Sequence, residues 1–439
     1  MLKQLRAKFT GLSQLGPRLG EKFSSLRSNL KINPWLYWLG ILGLLVLIAF
    51  VTGMVVFWQG LWITNLTDLV PWGLWITIDL SSIALSAGAF SLCAAVYLIG
   101  LKRYQPIART ATFIGLIGYT MALITLLLDI GRPDRFWHAL VYWNTHSLLW
   151  EVTMCVTLYL AVLAFEAMPI LAAFDWFRKR YPRLAVKMEH VHHYAPVLAI
   201  IGLGLSSLHQ SSLGAVYGVI KARPFWFKPE MSVLFMLSAM VGGIALTLFA
   251  SMLSARLTPK AKINDALVER VAGFLGWLLV GYFYWRVWDT LSTTYTYDPG
   301  RTEGLHLLTS GTLSFNFWIV EMLFGILIPM ILLLYNRTRL SRFWRMTALL
   351  LVVIGVVAYR WDTTLAGQLV VMSYLPGEQA VAYASYRPSF VEWAAGLGVI
   401  AFGLLAFSLG VKYLRVVDHR LADEERESLK VKARETVIA

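Results

Sequence analysis

Asp79, Asp129, Glu151, Glu166, His209, Arg286, Asp289, Glu321, Arg360, Asp362 and Glu392 all fall within or at the ends of long apolar runs. A charge near the centre of a bilayer costs at least ~2.5 kcal/mol, so a group kept there faces protein or water and is a functional candidate by default. Carboxylic acids and imidazoles in such places can exchange protons near neutral pH. Asp79, Glu151 and Glu321 have no basic neighbour in sequence, which favours a functional role for them. Arg286 with Asp289, three apart, and Arg360 near Asp362 could instead be ion pairs that hold helices together.

The depth of these groups is informative. A helix entered at Pro71 puts Asp79 roughly 12 Å in, at 1.5 Å per residue. Glu151, Glu321 and Glu392 follow helix starts on the same side by one or two turns, and Asp129, His209, Arg286, Asp289, Arg360 and Asp362 lie in the last turns of helices running towards it. Glu166 is the main exception. The pattern predicts a polar cavity opening at that side. A quinone takes up two protons for each electron pair and needs a hydrogen-bond donor for a carbonyl and flat apolar walls. Asp79, Glu151, His209 with Gln210, and the rings of Trp72, Trp75 and Trp150 could supply those elements. A histidine that merely packs helices together is the bland account of His209.

The elements that would position these groups are membrane spans. Of 439 residues, 58% are hydrophobic and 15% charged, where a soluble domain carries about 25% charged residues. Apolar runs of about 20 residues, long enough for a ~30 Å hydrocarbon core, are expected at Trp35 to Gln59, Pro71 to Leu101, Ala108 to Ile130, Ser147 to Ala172, Ala195 to Ile220, Ser232 to Leu253, Val268 to Ser292, Leu313 to Tyr335, Phe343 to Trp361 and Ser389 to Tyr413. The expectation is an all-α polytopic membrane protein with about ten transmembrane helices. About 30 Lys and Arg fall in one set of alternate loops and tails and about seven in the other, which predicts that both termini are cytoplasmic. The stretch Met1 to Asn33 reads as a retained basic tail, either a surface helix on anionic lipid or a docking segment. The second and sixth helices start behind Pro71-Trp72 and Pro224-Phe225-Trp226, and the fourth and eighth carry Trp150-Glu151 and Trp318 to Glu321, which suggests a weak internal repeat.

Several classes are disfavoured. The formal charge of +14 is distributed between apolar runs rather than along one stripe, so nucleic acid is not an expected partner. Cys93 and Cys155 stand alone in apolar runs, which leaves no four-thiolate iron–sulfur or zinc site in this chain. Membrane haem b needs two histidines within the helices, whereas His190, His192 and His193 lie in a basic loop and His138 and His146 in an outer one. Electrons would then come from a partner.

The segments Pro71-Trp72-Gly73-Leu74-Trp75 to Asp79, Leu128-Asp129-Ile130-Gly131-Arg132-Pro133, Asn144-Thr145-His146-Ser147 to Glu151, Leu208-His209-Gln210-Ser211-Ser212-Leu213-Gly214 and Pro388-Ser389 to Glu392 resemble the HybB-type membrane subunit of hydrogenase-2-like enzymes, within the NrfD and polysulfide reductase superfamily. The resemblance runs from about Trp35 to Tyr413. It implies two four-helix bundles plus two extra helices, which the expected spans place at 35–172 and 195–335, separated by a basic cytoplasmic loop at 173–194, and at 336–414; the tails at 1–34 and 415–439, both expected to be cytoplasmic, are outside the resemblance. It implies a menaquinone or ubiquinone site near the outer face of a bacterial cytoplasmic membrane. A periplasmic ferredoxin-like subunit with several [4Fe-4S] clusters would dock there, itself fed by a catalytic subunit such as [NiFe] hydrogenase. On that resemblance Asp79 and Glu151 are proton-handling candidates, His209 and Asp129 line or support the quinone pocket, and Arg132 and Pro133 shape the rim facing the partner. With the reading of the residues themselves, Asp79, Glu151 and His209 are the catalytic candidates, and Trp72, Trp75, Asp129, Arg132, His146, Gln210, Glu321 and Glu392 the quinone-binding ones. Protons drawn from the cytoplasm would pass Glu166, Thr120 and Ser238. A secondary transporter, or a passive anchor without a quinone site, are the competing readings.

Overall fold

A computed structural model of the chain describes residues 33–88, 91–92, 100–373, 377, 381–414 and 416–419. Its fold is all-α, and the protein is a multi-pass integral membrane protein. The principal helices are α1 (Pro34–Gln59), α2 (Leu74–Ser86), α3 (Gln105–Asp129), α4 (Leu148–Ala172), α5 (Ala195–Gly218), α6 (Glu230–Leu257), α7 (Asp265–Tyr295), α8 (Asn316–Leu334), α9 (Arg342–Ala366) and α10 (Phe390–Tyr413). Among the described residues, nine of these are long and apolar enough to cross a membrane, and α2 is the shorter one. The expected second span reached Leu101, but residues 89–90 and 93–99, including Cys93, lie outside the described residues, as do most of both tails.

Local sequence explains where several helices begin. Pro34 opens α1 and the Asn33 side chain accepts from the Trp35 N–H at 3.1 Å, satisfying a donor that no turn of helix precedes. Ser147 caps α4 and Asn264 caps α7 in the same way. Ser389 and Glu392 form a reciprocal capping box at the start of α10. Within α8, Asn316–Leu327 is π-helical, a winding often found at functional sites.

Packing draws the groups of helices differently from the expected division. Helices α2, α3, α4 and α5 pack in succession, and α6, α7, α8 and α9 form a second set, joined to the first where α6 packs on α5 and where α6 and α9 meet α2. The remaining pair, α1 and α10, pack along each other and against α3. The first span therefore belongs with the tenth, not with the first bundle, because most of α1 presents apolar side chains outward and only a narrow strip is buried. Glycine permits the closest crossings: a Cβ on Gly243 of α6 would collide with the backbone of Gly88, and one on Gly355 of α9 with that of Gly325 of α8.

The two ends of the bundle differ. One is basic, where Arg345 pairs with Asp265, Arg339 pairs with Glu269, and the main chain of Lys262 bridges to that of Asp418. The other is poor in charge and carries a two-stranded hairpin, β1 (Val370–Met372) with antiparallel β2 (Val381–Tyr383). At this charge-poor end Arg223 donates to the carbonyls of Leu69, Gln368 and Val370, tying three loops together.

Candidate functional site

Helices α2 to α5 enclose a cavity of about 370 Å³ near the charge-poor end. Asp79 of α2, Asp129 at the end of α3, His209 of α5 and Trp72 all line it, so four residues singled out from sequence meet around one space. The rest of the wall is largely apolar, including Ile76, Leu123, Val152 and Leu213. The volume lies within the range of small-molecule sites, about 300–1,000 Å³.

His209 is fully buried, and its Nδ1 lies 2.9 Å from the Tyr119 hydroxyl of α3. Tyr119 in turn packs edge-on against Tyr159 of α4. The other ring nitrogen, Nε2, is buried and has no partner among the described residues. An oxygen of Asp129, Oδ1, is likewise buried and unpartnered among the described residues. Asp79 shares the cavity wall and makes no hydrogen bond to another described residue. A buried polar atom without a partner costs about 1–3 kcal/mol, so a free imidazole nitrogen and two carboxyl groups around one space are suited to a polar ligand.

The Trp72 ring stacks on Trp226 at 5.7 Å and meets Tyr217 edge-on at 5.4 Å, forming a flat aromatic wall. Its main chain is held by Gln368, whose Oε1 accepts from the Trp72 N–H at 2.9 Å and whose Nε2 donates to the Trp72 carbonyl at 2.8 Å. The Leu74 N–H at the start of α2 donates to the Tyr386 hydroxyl at 2.9 Å.

The remaining sequence-derived candidates lie elsewhere. Glu151 does not line the cavity; its Oε1 accepts from Ser212 of α5 at 2.8 Å. Gln210 follows His209 round the helix and donates to the Ile83 carbonyl at 3.1 Å. Trp75 points towards α10 and donates to the Glu392 carbonyl at 3.0 Å. Glu392 is buried at a junction of loops, accepting from Tyr386, Asn65 N–H and Ser389 N–H. His146 is exposed on the loop before α4. Arg132 is exposed beside the cavity end of α3 and pairs with Asp134 at 3.1 Å, which holds that carboxyl below its ordinary range.

Glu321 belongs to a second buried cluster, between α7, α8 and α9. Arg286 reaches Asp289 at 2.6 Å and Glu321 at 2.6 Å, Lys228 pairs with Asp289, and Asn316 donates to Asp362 at 2.8 Å. The ion pair expected of Arg286 and Asp289 is thus present. Arg360 and Asp362 are not paired: the Arg360 guanidinium lies 3.8 Å over the Phe235 ring and donates to Ser238 and the Phe235 carbonyl. Positions two apart on a helix point to different sides.

Sequence reasoning missed Tyr119, Tyr217, Tyr386 and Gln368. Gln368 is a polar residue beside a helix end and Tyr386 lies three residues before the capping serine, but the partners they hold at the site, Trp72 and Leu74, are more than 290 positions away in the chain.

A multi-pass all-α membrane protein built round a largely apolar cavity with a few buried polar groups is the class that fold and site define. The chain belongs to the NrfD family: residues 62–372 match the family described as Polysulphide reductase, NrfD. It is 31% identical to a protein of Nitratidesulfovibrio vulgaris named menaquinone reductase, integral membrane subunit, over 82% of this chain and 86% of the relative. It is 26% identical to the Hdr-like menaquinol oxidoreductase integral membrane subunit of Archaeoglobus fulgidus, over 82% and 89%. It is also 26% identical to the probable Ni/Fe-hydrogenase 2 b-type cytochrome subunit of Escherichia coli, over 81% and 86%.

Proposed function

We propose that this chain is the quinone-reactive membrane subunit of a respiratory oxidoreductase, and that the cavity between α2 and α5 holds the ring of menaquinone or ubiquinone. The observation that carries this reading is His209, which lines the cavity and whose Nε2 is buried and unpartnered among the described residues while Nδ1 is engaged by Tyr119. If the Tyr119 hydroxyl donates to Nδ1, Nε2 carries the ring proton and donates to a quinone carbonyl. Trp72 and Tyr217 flank the ring. Reduction adds two electrons and two protons to the quinone. The electrons come from an iron–sulfur subunit docked at the charge-poor end, and Asp79 and Asp129 deliver the protons to the two carbonyl oxygens.

The names of the relatives from N. vulgaris and E. coli support the redox role, and the latter favours a [NiFe] hydrogenase as the catalytic partner. The basic end faces the cytoplasm of a bacterial inner membrane, with both termini on that side. The iron–sulfur partner is then periplasmic, and protons taken from the cytoplasm would couple turnover to energy conservation. Copurification with mass spectrometry tests the assembly: iron–sulfur and hydrogenase subunits are expected, and isolation of the chain without redox partners contradicts it.

A further inference from the structure

The cavity is unequally closed. Asp79, Leu80, His209 and Leu213, which line it from α2 and α5, are buried, as is Val156 deep on α4. Towards α3 and α4 the wall reaches the surface: Ile130, at the end of α3, is 47% exposed and Leu149, in the first turn of α4, is 59% exposed, yet both line the cavity. Val152 and Thr153, one turn further along, also line it and are half-buried. Leu149, Val152, Thr153 and Val156 follow the 3.6-residue helical period, so they form one continuous stripe from the surface inward over about 10 Å.

On its α4 side this opening is lined by carbon, while on the α3 side half-buried Asp129 lines the cavity next to Ile130 and the exposed Arg132–Asp134 pair follows in the loop. The Thr153 hydroxyl donates to the Leu149 carbonyl at 2.8 Å, leaving its methyl group for the mouth. Glu151, the nearest acid on α4, is turned to Ser212 of α5. The loop from α3 to α4 adds exposed Val141, Tyr142 and Trp143, and it is tied to α4 by the Trp150 indole donating to the Ala139 carbonyl at 2.9 Å. The α4 wall of the opening has the chemistry of a lipid-facing surface.

We infer that the gap between the end of α3 and the start of α4 is a lateral portal to the bilayer, through which a molecule with a polar ring and a long hydrocarbon tail enters. The proximal tail then rests on Ile130, Leu149, Val152 and Thr153 while the ring reaches His209. This rests on the quinone reading of the cavity and adds the route of entry: sideways from the bilayer between α3 and α4, not from the water at the end of the bundle.

The test uses the whole purified complex in liposomes. A menaquinone analogue with a photoactivatable group on its first isoprene unit should label peptides containing Ile130 or Leu149 to Thr153, and excess unlabelled menaquinone should suppress that labelling. Suppressible labelling confined to other helices overturns the portal. Leu149→Trp and Thr153→Trp, on partly exposed positions where folding is little affected, should lower kcat/KM for a long-tailed menaquinone at least tenfold. Turnover of tailless menadione should fall less than threefold. Leu158→Trp, exposed on the same helix away from the mouth, should change neither. Equal loss with both quinones, or no loss with either, contradicts the portal. A wild-type complex that reduces neither quinone contradicts the quinone reading itself, so the two failures are separable.

Discussion

Gln368 grips Trp72 from both sides, accepting from its N–H at 2.9 Å and donating to its carbonyl at 2.8 Å across 296 positions of sequence. An amide side chain here replaces the helix neighbours that the turn before α2 lacks, and so fixes both the Trp72 ring and the first turn leading to Asp79. Loss of those bonds would leave a main-chain donor and acceptor without partners, each costing about 1–3 kcal/mol.

Gln368→Leu should therefore lower the thermal midpoint of the complex in detergent and weaken binding of a quinone analogue, while Gln368→Glu, which retains an acceptor, should be milder in both. Calorimetry and analogue titration check this. Unchanged affinity in the leucine variant would show that Trp72 is held adequately without the clasp.

Tyr119→Phe removes the partner of His209 Nδ1 without altering the packing against Tyr159. Turnover with quinone should fall about tenfold, which corresponds to about 1.4 kcal/mol of lost transition-state stabilisation. Activity of the partner subunits with an artificial electron carrier should be unaffected. A wild-type rate in the phenylalanine variant would remove Tyr119 from the account.

The two acids favoured from sequence should separate. Asp79→Asn, on the cavity wall, is expected to lower quinone turnover by about 10²–10⁴-fold, the usual range for loss of a proton-transfer group. Glu151→Gln should cost less than about fivefold, since it changes one hydrogen bond to Ser212 at an interface between helices. The reverse order would place the reacting ring between α4 and α5.

The Arg286 cluster should behave as a structural element. Arg286→Ala leaves Asp289 and Glu321 buried without that cation, and breaking a buried pair this way costs about 3–5 kcal/mol. Greatly reduced yield of folded protein is expected. A well-folded Arg286→Ala complex that has lost only quinone turnover would instead draw this cluster into the redox site.

At the basic end, His419 accepts from the Asn264 N–H at Nδ1, and burial pushes its pKa down to about 4. An unfolded histidine titrates near 6.5, so the unfolded chain takes up the proton first. The stabilisation is fully present above about pH 6.5 and is lost as the pH falls towards 4, by about 3 kcal/mol in all. Melting midpoints measured between pH 7 and 4 should fall, and the fall should be shallower in His419→Asn. Identical slopes would rule out His419 as their source.

Much of this arrangement is legible from residue type and spacing, and the remainder fails for a geometrical reason. Asp79, Asp129 and His209 could be recognised because charge and imidazole are costly in lipid, and their distance from helix ends gave their depth. Depth is one coordinate only. The direction around the helix axis separates Asp79 from Glu151 and Glu321, and helices that are apolar on every side carry no stripe to reveal it. Glu392 did carry a readable signal, the Ser389 to Glu392 capping box, which points to helix termination before ligand binding. Tyr119 and Tyr217 carried none, since aromatic residues are common throughout membrane helices.

Binding of a fluorescent quinol analogue to the purified complex tests the central claim most directly. The account predicts one saturable site, competed by menaquinone, with affinity reduced at least tenfold in His209→Ala and nearly unchanged in Glu151→Gln. Saturable binding that His209→Ala leaves intact would contradict it.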